Sequence, residues 1–378
     1  MLQLKMPNFP QPCSGRRALL LTLIAVSFSV ASCGGGQNSG GGEASSSASS
    51  SPAASTSSAG GGGAGVSLLG TGGTFPQPLY QTWFSDYNKQ HSNIKITYQA
   101  LGSKAGIQQF TQNLVDFGAS DVAMTDEQIA KVKRGVVLLP MTAGAIVIAY
   151  NVPGVPTGLK LSRQVYPAIF LGTIKNWNDP QIAKDNPGVK LPNLPISVVH
   201  RAEGSGTTGA FTGHLSGIDP TWKSKVGSGT SVNWPVGVGG KGNAGVTALL
   251  KQTNGSIGYV EYGYATTQNV PFAQLQNQAG KFVAATEQTS ASTLAAVQLP
   301  ANLRAFIADP TGANSYPIVT YTWLLAYKTY PDANKAKALK DVINYGLTQG
   351  QQNSTKLGYI PLPSNVVQKV QAAANTIQ

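Results

Sequence analysis

The sequence predicts an α/β protein built on a largely parallel sheet. Three observations carry the prediction: apolar runs of strand length alternate with runs of helical spacing, glycine, proline or hydroxyl residues stand at the junctions, and the connections are short. Ser67-Leu68-Leu69 opens the first strand, and Gly70-Thr71-Gly72-Gly73-Thr74-Phe75 follows as a loop. Leu79, Tyr80, Trp83, Phe84 and Tyr87 then recur on one helical face. Pro76 suits the first turn of that helix, where its missing N–H costs nothing. Ile94, Ile96 and Tyr98 alternate as a second strand, which Gly102-Ser103 breaks. Ile107, Phe110 and Leu114 restore the helical period, and residues 115–119 form a short strand before Ser120-Asp121. Thr125 with Gln128 has the spacing of a capping box for the next helix.

Further along, residues 136–139 and 145–150 read as two apolar strands, the second leaving the first lobe. Residues 164–171 are helical and lead to a polar turn over 175–180. The strand 196–200 delivers Arg201. Glycine-rich residues 227–245 read as loop, 257–262 as a strand, 318–327 as another, and 333–345 as a helix returning to the first lobe.

The front of the chain indicates where the protein works. Residues 1–17 hold Lys5, Arg16 and Arg17 and no acid, and residues 18–31 are an uncharged apolar stretch. That is a signal-peptide core; a membrane span needs roughly 20 apolar residues. Val30-Ala31-Ser32-Cys33 resembles the lipobox of bacterial lipoproteins, in which the cysteine takes lipid and becomes the new N-terminus. An ordinary signal peptide with an incidental cysteine is the alternative, and the twin arginines leave the export route open. The expectation is a signal peptide over 1–32, lipid on Cys33, and a disordered Gly/Ser tether over 33–65. As a flexible coil such a tether spans roughly 30 Å.

Cys13 leaves with the signal peptide, so the exported chain has no disulfide and no cysteine metal site. Residues 66–378 suit one two-lobed protein or two ordinary domains. Without Lys5, Arg16 and Arg17, 24 basic and 15 acidic residues remain, a balance of +9 that fits an anionic ligand or simply a particular external medium. Nucleic acid fits poorly, because the basic residues are scattered and no nucleic-acid motif is present.

Four junctions carry the chemistry: Thr74-Phe75-Pro76, Gly102-Ser103, Ser120-Asp121, and the run from Arg201 to Thr207. A helix N-terminus offers unpaired N–H groups and partial positive charge, so it receives a phosphate-like anion without a metal. Thr74 and Phe75 present N–H groups, with a hydroxyl on Thr74. Ser103 and Ser205-Gly206-Thr207 do the same from other helices, and Arg201 adds a planar fork for two oxygens. Glu203 either holds Arg201 in place or is a solvated surface residue. Asp121 discriminates. A buried carboxylate repels an oxyanion unless a proton lies between them, which phosphate has and sulfate lacks near neutral pH. The competing reading is that Asp121 merely caps the helix near Thr125.

Enzyme readings lack their parts. Gly204-Ser205-Gly206 has Glu203 and Thr207 where a nucleophile elbow has glycines. Residues 237–242 lack the spacing of a P-loop. His91, His200 and His214 have no metal-ligand spacing, and His200 suits a packing or rim position.

Taken in order, the strings Gly72-Gly73-Thr74-Phe75-Pro76, Asp116-Phe117-Gly118-Ala119-Ser120-Asp121, Arg201-Ala202-Glu203-Gly204-Ser205-Gly206-Thr207, Gly239-Gly240-Lys241-Gly242-Asn243 and Gly255-Ser256-Ile257-Gly258-Tyr259-Val260-Glu261-Tyr262 resemble the PstS family, the phosphate-binding proteins of bacterial ABC importers. The resemblance covers residues 66–378. It implies a two-lobed periplasmic-binding-protein fold of type II-like form, with two hinge crossings and phosphate buried between lobes. Residues 66–148 with 317–378 would make the first lobe and 149–316 the second. The ligand set implied is Thr74, Phe75, Ser103, Asp121, Arg201, Ser205, Gly206 and Thr207, with Glu203 behind Arg201. It also implies a monomer without cofactor, metal or catalysis. Such a protein is extracytoplasmic, anchored to the membrane by its N-terminal lipid, and docks on the permease subunits. A receptor for arsenate, or less favourably a phosphatase on the same fold, is the alternative. Two departures stand out: the family often has Asp at the position of Glu203, and small residues at Lys104 and Ala105.

Overall fold

A computed structural model of the chain describes residues 65–378. The expected signal peptide, Cys33 and, but for Gly65, the tether lie outside the described residues. The first elements are β1 (Val66–Gly72), α1 (Gln77–Gln90), β2 (Ile94–Gln99), α2 (Ser103–Thr111), β3 (Phe117–Ser120) and α3 (Asp126–Ala130). β1 pairs in parallel with β2 on one side and β3 on the other. The five apolar residues expected on one face of α1 are all buried. Pro76 stands just before the helix, and Pro78 takes the first-turn position. α2 ends early: Asn113 adopts φ 59° in the left-handed region, so Leu114 leaves the helical face and is 61% exposed.

The two strands expected between 136 and 150 are one, β4 (Val136–Asn151), buried along all but its last residue. Pro140 and Gly144, which suggest a break, lie within the strand and make no turn. Pro140 is accommodated because the register with the partner strand slips there, and a bulge is where a sheet tolerates a residue without an N–H.

The chain continues as β5 (Lys160–Leu161), α4 (Val165–Phe170), α5 (Pro180–Asp185), β6 (Ser197–Arg201), α6 (Gly206–Ile218), α7 (Pro220–Lys225) and β7 (Val238–Gly240). It continues with α8 (Gly242–Gln252), β8 (Ser256–Glu261), α9 (Tyr262–Thr267), β9 (Gln274–Gln276), β10 (Phe282–Val283) and α10 (Glu287–Ala295). The chain then returns through β11 (Val319–Tyr327), α11 (Ala333–Leu347) and α12 (Ser364–Ala374). The glycine-rich stretch expected as loop therefore holds β7 and the start of α8. Its glycines serve close packing: a Cβ on Gly240 would lie 2.8 Å from the nitrogen of Val246.

The main sheet has the order β2-β1-β3-β11-β4-β8-β6-β7, beside a small β10-β9-β5 sheet. It is mixed, not largely parallel: β11 runs antiparallel to both β3 and β4, and β4 antiparallel to β8. The cause is the double crossing. β4 carries the chain out of the first half-sheet, and β11 re-enters it from the far side, opposite in direction to the strand that left. β4 pairs with β11 up to Ala145 and with β8 from Ile146, so one strand belongs to both halves. α2 packs on β1 and β3, and α8 on β6 and β8.

His214, on α6, is wholly buried. Its Nδ1 meets the carbonyl of Ala308 at 2.6 Å, so Nδ1 carries the proton, and Tyr166 Oη donates to Nε2 at 2.8 Å. Burial lowers its pKa from 6.5 to about 4. Each pH unit in that interval is worth about 1.4 kcal/mol. The depressed pKa means stability fully present above pH 6.5 and lost as pH falls through about 4. Thermal unfolding at pH 7 and pH 4.5 is expected to show a larger acid loss for the parent than for His214→Gln.

Candidate functional site

Four strand ends aim helix starts at one point. β1 delivers Thr74 and Phe75 to α1, β2 delivers Ser103 to α2, β3 ends beside Asp121, and β6 ends in Arg201, five residues before α6. All eight residues expected from the sequence come together, and each is less than a tenth exposed or is a buried glycine. The approach is close enough to require glycine at two places. Gly102 has φ 100°, and a Cβ there would lie 2.6 Å from the Gly204 carbonyl oxygen. A Cβ on Gly206 would lie 2.7 Å from the backbone nitrogen of Asp121.

Arg201 is the hub. Its Nε donates to Glu203 Oε1 at 2.9 Å, Nη1 to Thr207 Oγ1 at 3.1 Å and Nη2 to Thr74 Oγ1 at 2.9 Å. Nη2 also donates to Glu203 Oε1. Both carboxylate oxygens of Glu203 accept the N–H of Gly242 at 3.2 Å, so this side chain joins Arg201 to the start of α8. The side chain of Lys104 is exposed, while its N–H crosses to the Gly204 carbonyl at 3.1 Å.

Asp121 does not cap a helix. Thr125 and Gln128 form the capping box of α3 themselves. Asp121 Oδ1 accepts from Thr322 Oγ1 at 2.7 Å, and its carbonyl from Thr320 Oγ1 at 2.7 Å. Oδ2 has only distant partners, Ser103 Oγ at 3.4 Å and Thr207 Oγ1 at 3.5 Å. Burial pushes its pKa up to about 6, against the opposing hydrogen bond from Thr322 and the charge of Arg201. Thr322 sits at the β4–β11 bulge, a device that re-aims side chains beside functional sites.

The donors are arranged to be given away. Thr74 Oγ1 receives N–H groups from Arg201, from Asn243 N at 3.1 Å and from Asn243 Nδ2 at 3.0 Å. A hydroxyl oxygen has two lone pairs, fewer than the three N–H groups that share it, so its acceptor capacity is filled and its own proton remains to donate. Ser205 N–H is engaged by Thr230 O at 2.8 Å, and its Oγ caps the N–H of Thr208 at 3.1 Å, which leaves the hydroxyl proton. Gly206 and Thr207 open α6, where N–H groups have no acceptor within the helix.

Sequence reasoning missed Thr320, Thr322, Asn243, Tyr264 and the role of Glu261. Glu261 is fully buried, and burial raises its pKa well above the ordinary carboxylate value. It caps α9 through the N–H groups of Gly263 at 2.8 Å and Tyr264 at 3.3 Å. Asn243 and Glu261 both lie in the strings that carried the resemblance, which was the available signal. Among the described residues no cluster of His, Cys, Asp and Glu could hold a metal, and no helix is long and apolar enough to cross a membrane.

Comparison with known proteins agrees with this architecture. The sequence profile of the PBP superfamily domain matches residues 46–349. The chain is 41% identical over 313 residues to the phosphate-binding protein PstS of Pasteurella multocida, covering 82% of this chain and 90% of that relative. It is 40% identical over 332 residues to the phosphate-binding protein PstS of Methanocaldococcus jannaschii, covering 82% and 85%. The crystal structure of a phosphate-binding protein from Stenotrophomonas maltophilia superposes with a TM-score of 0.65 at 18% identity, covering 81% of this chain and 93% of that one. The shared fold is the two-lobed one of periplasmic binding proteins.

Proposed function

The chain belongs to the PstS phosphate-binding proteins of the PBP superfamily, and on that premise we propose that it binds inorganic phosphate tightly and delivers it to the permease of an ABC importer. The observation that carries the reading is Asp121, a buried carboxylate with one oxygen tied to Thr322 and the other turned into the donors around Arg201. Monohydrogen phosphate satisfies that arrangement. Its unprotonated oxygens accept from Arg201, from the hydroxyls of Thr74, Ser103 and Ser205, and from the N–H groups of Phe75, Gly206 and Thr207. Its own proton goes to Asp121 Oδ2. Sulfate would set a bare oxygen against that carboxylate, and a site built on a required hydrogen bond discriminates by roughly 10⁴–10⁵.

Glu203 holds the guanidinium flat and in place. The lobes are residues 66–148 with 317–378, and 149–316, with a hinge where β4 and the chain before β11 cross between them. Ligand contacts from both sides favour closure. The named residues of the site serve as hydrogen-bond donors and acceptors around one anion, which suits a carrier. Export, lipid on Cys33 and a tether of roughly 30 Å would keep a monomer close to its permease on the outer side of the membrane.

Calorimetric titration of the purified protein, stripped of anion, tests the reading. One-site phosphate binding at micromolar strength or tighter is expected near neutral pH, with no heat from sulfate. Equal binding of both anions would discard the role given to Asp121. A folded protein that binds neither would discard the reading.

A further inference from the structure

We propose that Asn243 and Tyr264, neither of which holds the anion itself, form a clamp on Thr74 that sets the balance between open and closed cleft. The inference rests on the phosphate reading above and assigns two residues beyond its ligand set. Thr74 belongs to the first lobe, at the end of β1, while Asn243 opens α8 and Tyr264 lies in α9 of the second. Asn243 gives two donors to Thr74 Oγ1, at 3.1 and 3.0 Å, and Tyr264 Oη donates to the Thr74 carbonyl at 2.8 Å. One first-lobe residue is thus gripped at side chain and backbone from across the cleft.

Both arms are fixed from behind by Glu261. Its N–H donates to Asn243 Oδ1 at 3.0 Å, which orients the amide with Nδ2 toward Thr74. Its carboxylate holds the N–H of Tyr264 at 3.3 Å and of Gly263 at 2.8 Å, which fixes the first turn of α9. Arg201 also crosses to Thr74, but it holds the anion as well and so ties closure to ligand. Asn243 and Tyr264 have their acceptors on Thr74 whatever the cleft contains. They therefore favour the closed form by a constant amount, which slows both the escape of phosphate and its entry.

The test compares the parent with Tyr264→Phe, which removes one hydroxyl and keeps the ring, and with Tyr264→Phe/Asn243→Ala. Stopped-flow phosphate binding gives both rates, and small-angle scattering of the anion-free protein gives its openness. A net hydrogen bond shifts such a balance about fivefold. Phosphate release is expected to quicken about fivefold in the single variant and about twentyfold in the double. Association should be unchanged or faster, and the anion-free radius of gyration larger. Release within twofold of the parent in Tyr264→Phe, with unchanged scattering, overturns the clamp. Loss of one-site phosphate binding in the folded parent would instead overturn the phosphate reading. If the double variant fails to fold, Tyr264→Phe alone decides.

Discussion

Phosphate affinity of the Arg201→Ala variant is expected to fall by at least about a thousandfold, so that titration at micromolar protein records no saturable heat. Two effects combine. The bound anion loses charge-assisted hydrogen bonds, each worth about 1.5–3 kcal/mol. The carboxylates of Asp121 and Glu203 also lose the one guanidinium between them, so the cleft becomes repulsive toward any anion. Thr74 and Thr207 each lose a donor too; Thr74 keeps the two from Asn243, while the Thr207 hydroxyl no longer has a fixed polarity. Arg201→Lys is expected to recover only part of the loss, because a point charge on a flexible stem cannot reach Glu203, Thr207 and Thr74 at once. Circular dichroism keeps the result interpretable by showing that the fold is intact. Retention of parental affinity by a folded Arg201→Ala protein would remove Arg201 from the site.

Asp121→Asn is expected to bind sulfate where the parent does not, and to compress the phosphate-to-sulfate preference by orders of magnitude. The amide keeps the shape of the carboxylate but can donate toward a bare oxygen. The parent should acquire the same behaviour in acid. Below about pH 6 the unliganded Asp121 takes its own proton, so sulfate binding by the parent should rise as pH falls through 6, while that of the Asp121→Asn variant stays flat. The stability of the anion-free protein has a matching sign. A carboxyl with its pKa raised from 3.8 to about 6 contributes stability fully present below pH 3.8 and lost as pH rises through 6. At pH 7 the buried charge therefore costs roughly 3 kcal/mol. The Asn substitution should raise the anion-free melting temperature at pH 7 and flatten its dependence between pH 4 and 6. An unchanged anion preference in the variant would show that selectivity lies elsewhere.

The strand-to-helix junctions were legible because each needs particular residues locally. Gly102 needs a left-handed φ, Thr125 and Gln128 cap α3, and Arg201 follows an apolar strand. What supports them was not legible, because it comes from far along the chain. Thr322 reaches Asp121 across 201 positions, and Asn243 reaches Thr74 across 169. Nothing in a run such as Val319–Tyr327 tells which hydroxyl will meet a carboxylate. The glycines around Asn243 suggested loop because glycine signals both freedom and close approach, and here close approach governs. The direction of β11 was hidden for a similar reason: strand composition does not record whether the chain arrives from its own lobe or from the other.

The bulge in β4 places a constraint of a different kind on this chain's history. Thr322 faces Thr142 and Trp323 faces Pro140, so Met141 is the extra residue between them. Thr142 and Pro140 lie two residues apart yet pair with adjacent residues of β11, so the bulge breaks the usual alternation. Removing Met141 would restore a regular ladder and take away the local bend and extra twist. Drift can rewrite the identity of residue 141 so long as the replacement fits its buried position. It cannot delete the residue without straightening the strand beside Thr322 and re-aiming the hydroxyl that donates to Asp121. Among descendants of this chain, position 141 should vary in letter and stay invariant in number.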